Sequence, residues 1–333
     1  MPKNPEHLCN ERIKYGITRL PSPRSVSGMF VMSKSRAFSP LPSAFSVDPH
    51  FFVARDGRRL AYYVSGPPRG RPLVLLHSIN AAPSSFEVQP LFEQLRAKRP
   101  VYSLDLPGFG HSQRAPAPSS PADFAAAIVD FLVQIVQQPA DLLALSLSAE
   151  FAARAALEVP ERVASLALIS PTGFARRAPP PRALARVVHA VLRVPWWDRA
   201  LFALLVSRRS IRYYLNQSFF GPPPEELIAY AAATAHQPDA RHAPLAFLSG
   251  LLFTPGVRET LYARLVKTPV LVIADRDPYI DFVHLPAFLK AHTNWHWQPL
   301  APHRGLPHWE KPGVTCAALE DFWRTHDCST PGS

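Results

Sequence analysis

Short apolar runs of strand length, separated by stretches of helix length, recur from Phe51 onward and leave few folds open. The runs are Leu73 to His77, Val101 to Leu104, Leu142 to Leu145, Val163 to Ile169, Val270 to Ala274 and Trp295 to Gln298. Largely continuous apolar strands of this kind are buried on both faces. The stretches Phe86 to Lys98, Ala122 to Gln137, Leu147 to Glu158, Leu285 to His292 and Val314 to Thr325 have the apolar spacing of crossover helices. Strand-helix alternation predicts an α/β fold, a mostly parallel sheet of about eight strands covered by helices on both faces. Ahead of it, His50 to Ala54 and Leu60 to Val64 flank an Asp56-Gly57 turn and read as an antiparallel hairpin.

The alternation stops between Thr172 and Thr268, where no strand pattern occurs and Ala178-Pro179-Pro180-Pro181 opens a helical composition. Helices are expected over Arg182 to Arg193, Trp196 to Ser207, Ser210 to Phe219, Glu225 to His236 and Leu245 to Phe253. The segment reads as an inserted all-helical lid, residues 172–267, entering at the carboxyl end of the sheet, where open α/β sheets bind ligands. The core is then 47–171 and 268–327. Residues 1–46, rich in Ser, Pro and Arg without an apolar period, read as a disordered basic tail, and 328–333 as a second short tail. The first could instead be a targeting segment or an over-long start.

Charge excludes one class of function. The net charge is +11 over 333 residues, but 1–46 holds seven Lys/Arg against two Glu, and Arg176 to Arg212 holds nine Arg against Asp198 alone. A nearly neutral body without a recognition motif argues against nucleic acid as a partner. No apolar run reaches the ~18 residues of a membrane span. Three cysteines without C-x-x-C spacing suggest neither disulfides nor a zinc site, and a reducing, cytoplasmic location is expected.

The chemistry starts at Leu142 to Ala152, where an apolar strand halts at Ser146 and continues as a helix, with small residues Ala144 and Ser148 two positions either side. His77-Ser78-Ile79-Asn80 follows one buried strand, and Asp105-Leu106-Pro107-Gly108-Phe109-Gly110-His111-Ser112 follows the next. Thr268 to Pro278 carries a late strand into Asp275-Arg276-Asp277-Pro278. In this order the stretches resemble the α/β-hydrolase family: a nucleophile elbow with alanine and serine for its glycines, an H-G-x loop with Ser78 for Gly, a complete D-x-x-G-x-G-x-S turn, and the acid loop. The resemblance covers roughly Phe51 to His326 apart from the lid. It implies Ser146 as nucleophile, the N–H groups of Ile79 and Leu147 as oxyanion donors, and Asp277 as the acid that orients a base.

The base departs from the pattern. Where the family carries G-H-x-P-x-x-E-x-P, this chain reads Arg304-Gly305-Leu306-Pro307-His308-Trp309-Glu310-Lys311-Pro312, and Gly305 stands at the histidine position. His303, in the same loop, is the expected substitute. His308, or His189, His236 or His242 of the lid, are the alternatives.

The expected activity is a serine-dependent, esterase-like hydrolase of a small, largely apolar ester or acyl substrate, without metal or organic cofactor. A catalytically impaired ligand-binding homologue, or a same-fold lyase or C-C hydrolase, is the alternative. His77, Ser78, Trp196 and Trp197 are expected to line the substrate pocket. The lid aromatics are expected to pack inward and its arginines to face solvent, so membrane contact through the basic lid is the lesser reading. Nothing in the sequence indicates the oligomeric state.

Overall fold

The computed structural model describes residues 40–115 and 120–326. The expected tails therefore lie outside the described residues, except for 40–46. Residues 40–46 are not tail-like. Ala44 and Phe45 are buried, Phe45 stacks on Phe92, and the Pro42 carbonyl accepts a 2.8 Å bond from the Tyr230 hydroxyl. Composition placed the domain edge too late because two apolar residues among prolines and serines show no period.

Eight strands form one sheet: β1 (His50–Val53), β2 (Arg59–Ser65), β3 (Leu73–Leu76), β4 (Val101–Leu104), β5 (Ala140–Leu145), β6 (Val163–Ile169), β7 (Val270–Ile273) and β8 (Trp295–Trp297). The spatial order is β1-β2-β4-β3-β5-β6-β7-β8. The β1–β2 and β2–β4 pairs are antiparallel and the rest parallel.

Alternation along each strand divides the core into two layers. Val74, Leu76, Leu142, Ala144, Leu166, Leu168, Val270 and Val272 face one cluster, which includes Phe124, Ile128 and Phe151. Leu73, Leu75, Leu143, Leu145, Ala167, Ile169, Leu271 and Ile273 face the other, with Leu91, Phe92, Leu319 and Phe322. A sheet apolar on both faces is stable only when both are covered.

The covering helices are α1 (Gln89–Leu95), α2 (Pro121–Phe131) and α3 (Ser148–Glu158) in the first half of the core. The expected helix from Phe86 begins instead as a 3-10 turn, Ser85–Val88, because Pro90 suits the first turn of α1 and not the interior of a longer helix. Ser120 and Asp123 close a reciprocal capping box on α2.

Between β6 and β7 the chain passes through α4 (Arg182–Leu192), α5 (Trp197–Leu205), α6 (Arg208–Gln217), α7 (Glu225–Ala235), α8 (His242–Leu248) and α9 (Val257–Thr260), without a strand. The last part adds α10 (Leu285–Ala291), α11 (Pro307–Glu310) and α12 (Pro312–Thr325). No helix among the described residues is long and apolar enough to cross a membrane.

From β3 the chain moves to β4 on one side, then crosses back to β5 on the other. The carboxyl ends of β3 and β5 thus flank the point where strand order reverses, the ligand-binding position of open α/β sheets. The loops holding Ile79 and Ser146 leave from these ends.

Candidate active site

At the end of β5 the chain bends so sharply that Ser146 takes φ +52°, a left-handed conformation that costs an L-residue roughly 1–2 kcal/mol. The turn is held from both sides. Ser146 N–H donates to the Ile169 carbonyl at 2.9 Å, and Ser146 C=O accepts from Ala149 N–H at 3.2 Å as α3 begins. Ser148 Oγ, at one of the two small positions, donates to the His77 carbonyl at 2.5 Å and ties the elbow to the end of β3.

The loop after β3 is pinned by Glu87, which accepts from Ser78 N–H through Oε2 and from Asn80 Nδ2 through Oε1, both at 2.8 Å. Among the described residues, the N–H groups of Ile79 and Leu147 have no acceptor. His77 is fully buried. Its Nε2 accepts Leu106 N–H at 3.0 Å, so the proton is on Nδ1 and is donated to the Ser78 carbonyl. His77 therefore supports the loop from beneath, whereas it was expected at a pocket wall; Ser78 is itself nearly buried.

The Asp105 turn supports the same region. Its carboxylate accepts Ser85 N–H and His111 N–H at 2.8 Å each, and Ser112 Oγ donates to the Asp105 carbonyl at 2.5 Å while accepting Ala61 N–H. Ala81, Ala82 and Pro83, with Gly108, Phe109, Arg114 and, from the insertion, Thr234, Ala235 and Ala240, line a narrow cleft whose one charged member is Arg114.

Asp277 follows β7. Oδ1 accepts the N–H groups of Tyr279 and Ile280 at 2.8 and 3.1 Å, while burial pushes the carboxyl up to about 6. Gly305 faces Oδ2 directly. Its φ is +100°, and a Cβ there would lie 2.6 Å from Oδ2, so residue 305 meets this carboxylate with backbone alone, while the buried Ser170 hydroxyl favours its charged form against burial.

His303, the expected base, is buried in the same loop. Its N–H donates to Asp275 Oδ2 at 3.1 Å, and its Nδ1 accepts Gly305 N–H at 3.2 Å, which leaves the ring proton on Nε2. Burial lowers its pKa, opposed by the Asp275 carboxylate. No hydrogen bond among the described residues joins it to Ser146 or Asp277. The expected Ser146–His303–Asp277 relay is therefore not assembled in this conformation. His308 is also occupied: its Nε2 donates to the Glu87 carbonyl at 2.8 Å, beside the Trp309 indole on the same oxygen, and burial holds its pKa down to about 4.

Two groups escaped the sequence reading. Glu87 works through one backbone N–H and the Asn80 side-chain amide, and has no motif to mark it. Glu150 likewise belongs to no motif. It is buried one turn beyond Ser146, accepting the Thr172 hydroxyl at 2.6 Å and Thr254 N–H at 2.7 Å. These partners stand near the two ends of the helical insertion. Burial pushes the carboxyl from 4.5 up to about 7.

Because that folded-state pKa is raised, the stability associated with a protonated Glu150 is complete below pH 4.5 and is lost as pH rises through about 7, a difference of about 3 kcal/mol. Glu150→Gln keeps an acceptor for Thr254 N–H, and the Thr172 hydroxyl can turn to accept from the new amide. Its urea-unfolding free energy should lose this pH slope between 5 and 8. An unchanged slope would remove Glu150 as its source.

Fold and site together define a class, a parallel sheet with a serine elbow at its switch point, and the comparison with known proteins agrees. A sequence-family model described as the alpha/beta hydrolase family matches residues 73–319, and the chain belongs to that family. Among curated relatives, the 1-acylglycerol-3-phosphate O-acyltransferase ABHD5 of Rattus norvegicus is 33% identical over 138 residues, 40% of this chain and 37% of the relative. The (lyso)-N-acylphosphatidylethanolamine lipase of Mus musculus is 29% identical over 178 residues, 48% of this chain and 49% of the relative. The chain thus matches less than half the length of either.

Two solved structures share the fold. A bacterial membrane phospholipase A has a TM-score of 0.64 at 22% identity, covering 85% of this chain and 87% of its own. A thermophilic esterase from Thermogutta terrifontis has a TM-score of 0.64 at 18% identity, covering 84% and 99%.

Proposed function

We propose that this protein is a serine esterase-like member of its family that works without an imidazole held in place, and therefore slowly, on a small, largely apolar acyl ester. The observation that carries the reading is Ser146 at φ +52° on an elbow that Ser148 ties to the end of β3, with the N–H groups of Ile79 and Leu147 in those two loops left without an acceptor among the described residues. A nucleophile presented this way adds to the acyl carbonyl. The new C–O bond leaves the electron pair on the carbonyl oxygen, where two N–H donors stabilise it, each worth about 3 to 4 kcal/mol in such a site.

The ester C–O bond then breaks, the serine proton passing to solvent or to the departing alkoxide, since neither His303 nor His308 is joined to the hydroxyl, and water hydrolyses the acyl-serine to release the acid and restore Ser146. Family relatives named for acyltransfer and lipid deacylation make a longer acyl substrate consistent with the same site.

A second reading, a ligand-binding homologue without turnover, is favoured by one observation, the Gly305 backbone seated against Asp277. Short p-nitrophenyl esters separate the two. The first reading expects saturable turnover above the buffer rate, and less than about a threefold change in His303→Ala. Saturable ester binding with turnover at the buffer rate would replace it by the second. A collapse of turnover in His303→Ala would make His303 the base after all.

A further inference from the structure

Helix α4 is apolar on two faces, and only one of them has a partner inside the protein. Ala185 and His189 are buried, with Val188 and Leu192 half-buried, one stripe at helical spacing. Leu184, Val187, Val191 and, beyond the helix end, Val194 make a second stripe that is exposed, Val187 by 61% and Val191 by 57%. The chain then turns through Pro195 into Trp196 and Trp197, exposed by 75% and 46%. Both tryptophans were expected in the pocket. Their rings instead lie edge to face on each other, 6.5 Å apart, with no other ring contact among the described residues. Trp196 holds φ +62°, a strained conformation for a bulky residue.

Charge says what such a face meets. Arg182, Arg186 and Arg193 form a further stripe on α4, separated from the exposed apolar one by Ala183 and Ala190, and Arg199 is exposed on α5. None of the four guanidiniums forms an ion pair among the described residues, although Arg199 N–H donates to Asp198 Oδ1 at 2.7 Å and the Arg199 charge helps hold that carboxyl down. Asp198 is the sole acid between Arg162 and Pro224; it is buried and paired with Arg241 at 2.6 Å. An exposed aliphatic stripe ending in paired tryptophans, edged by arginines and with no exposed acid in its own segment, matches the depth profile of an anionic bilayer surface. Aliphatic side chains enter the acyl boundary, indoles lie at the headgroup level, and guanidiniums remain on phosphate.

We propose that α4 and the start of α5 form a peripheral membrane-docking face for anionic lipid, with Leu184, Val187, Val191, Trp196 and Trp197 inserted and Arg182, Arg186 and Arg199 on the headgroups. The face acts whether or not Ser146 turns over substrate.

The test is co-sedimentation of the full chain with vesicles of phosphatidylcholine alone and of phosphatidylcholine mixed with phosphatidylglycerol. Binding is expected to the mixed vesicles, weaker to the neutral ones, and reduced at about 1 M salt, where the Debye length is about 3 Å. Trp196→Ala/Trp197→Ala and, separately, Arg182→Glu/Arg186→Glu should each weaken it by at least about tenfold, with circular dichroism unchanged. Undiminished binding of both variants would overturn the proposal by placing the contact on another basic segment. No vesicle binding, with a concentration-dependent dimer that the tryptophan variant abolishes, would overturn it in favour of a second copy of the chain.

Discussion

Gly110→Ala is expected to cost the protein at least about 3 kcal/mol of stability, a large fraction of the roughly 5–15 kcal/mol that holds an ordinary domain folded. The residue sits at φ +50°, and a Cβ there would lie 2.1 to 2.2 Å from the carboxyl atoms of Asp105. Moving the carboxylate is not a cheap escape. Asp105 is fully buried, and turning it breaks the bonds from Ser85 N–H and His111 N–H, leaving buried donors and a buried charge unpaired. The internal control is Gly57→Ala, at φ +81° with open space around the added atom, where only backbone strain of about 1 kcal/mol applies. Urea unfolding of both variants measures the difference. Equal costs would mean that the Asp105 turn does not depend on Gly110 in the way its contacts indicate.

Ser146→Ala has the largest expected effect on chemistry: ester turnover falls to the buffer rate, at least about 100-fold below wild type. Alanine has no hydroxyl to form the new C–O bond, but it keeps the small side chain that the elbow tolerates, and Ser146 N–H and C=O retain their bonds to Ile169 and Ala149. The melting temperature should therefore stay close to that of wild type. A retained rate would show that the turnover arises elsewhere.

Much of this architecture was legible because its signals are local. Continuous apolar runs bounded by turns marked the strands, and β6 has the bounds expected, Val163 to Ile169. The Asp105 turn was legible because its glycine is required by a close approach to a carboxylate, a constraint that leaves a mark on the sequence. Glu87 was not, since one of its two bonds to the β3 loop is to a backbone N–H that any sequence supplies, and its bond to the Asn80 amide follows no motif spacing.

Composition also fails on direction. Twelve aromatic residues in the insertion imply an apolar surface, but whether an indole faces the core or solvent depends on the rotation of one helix, and Trp196 and Trp197 face solvent. The base is the sharpest case. Alignment alone exposed Gly305, but only the backbone at φ +100° shows that the chain has closed on Asp277 and that the Nδ1 of His303 is taken up by the next glycine's N–H.

The central claim, a reactive Ser146 without an engaged histidine, is tested most directly by reaction with a fluorophosphonate followed by intact-mass and peptide analysis of wild type and His303→Ala. The account predicts a slowly forming single adduct on Ser146 in both proteins, at rates within about threefold of each other. An adduct that fails to form on Ser146, or that forms on it rapidly in wild type and is lost in His303→Ala, would contradict it.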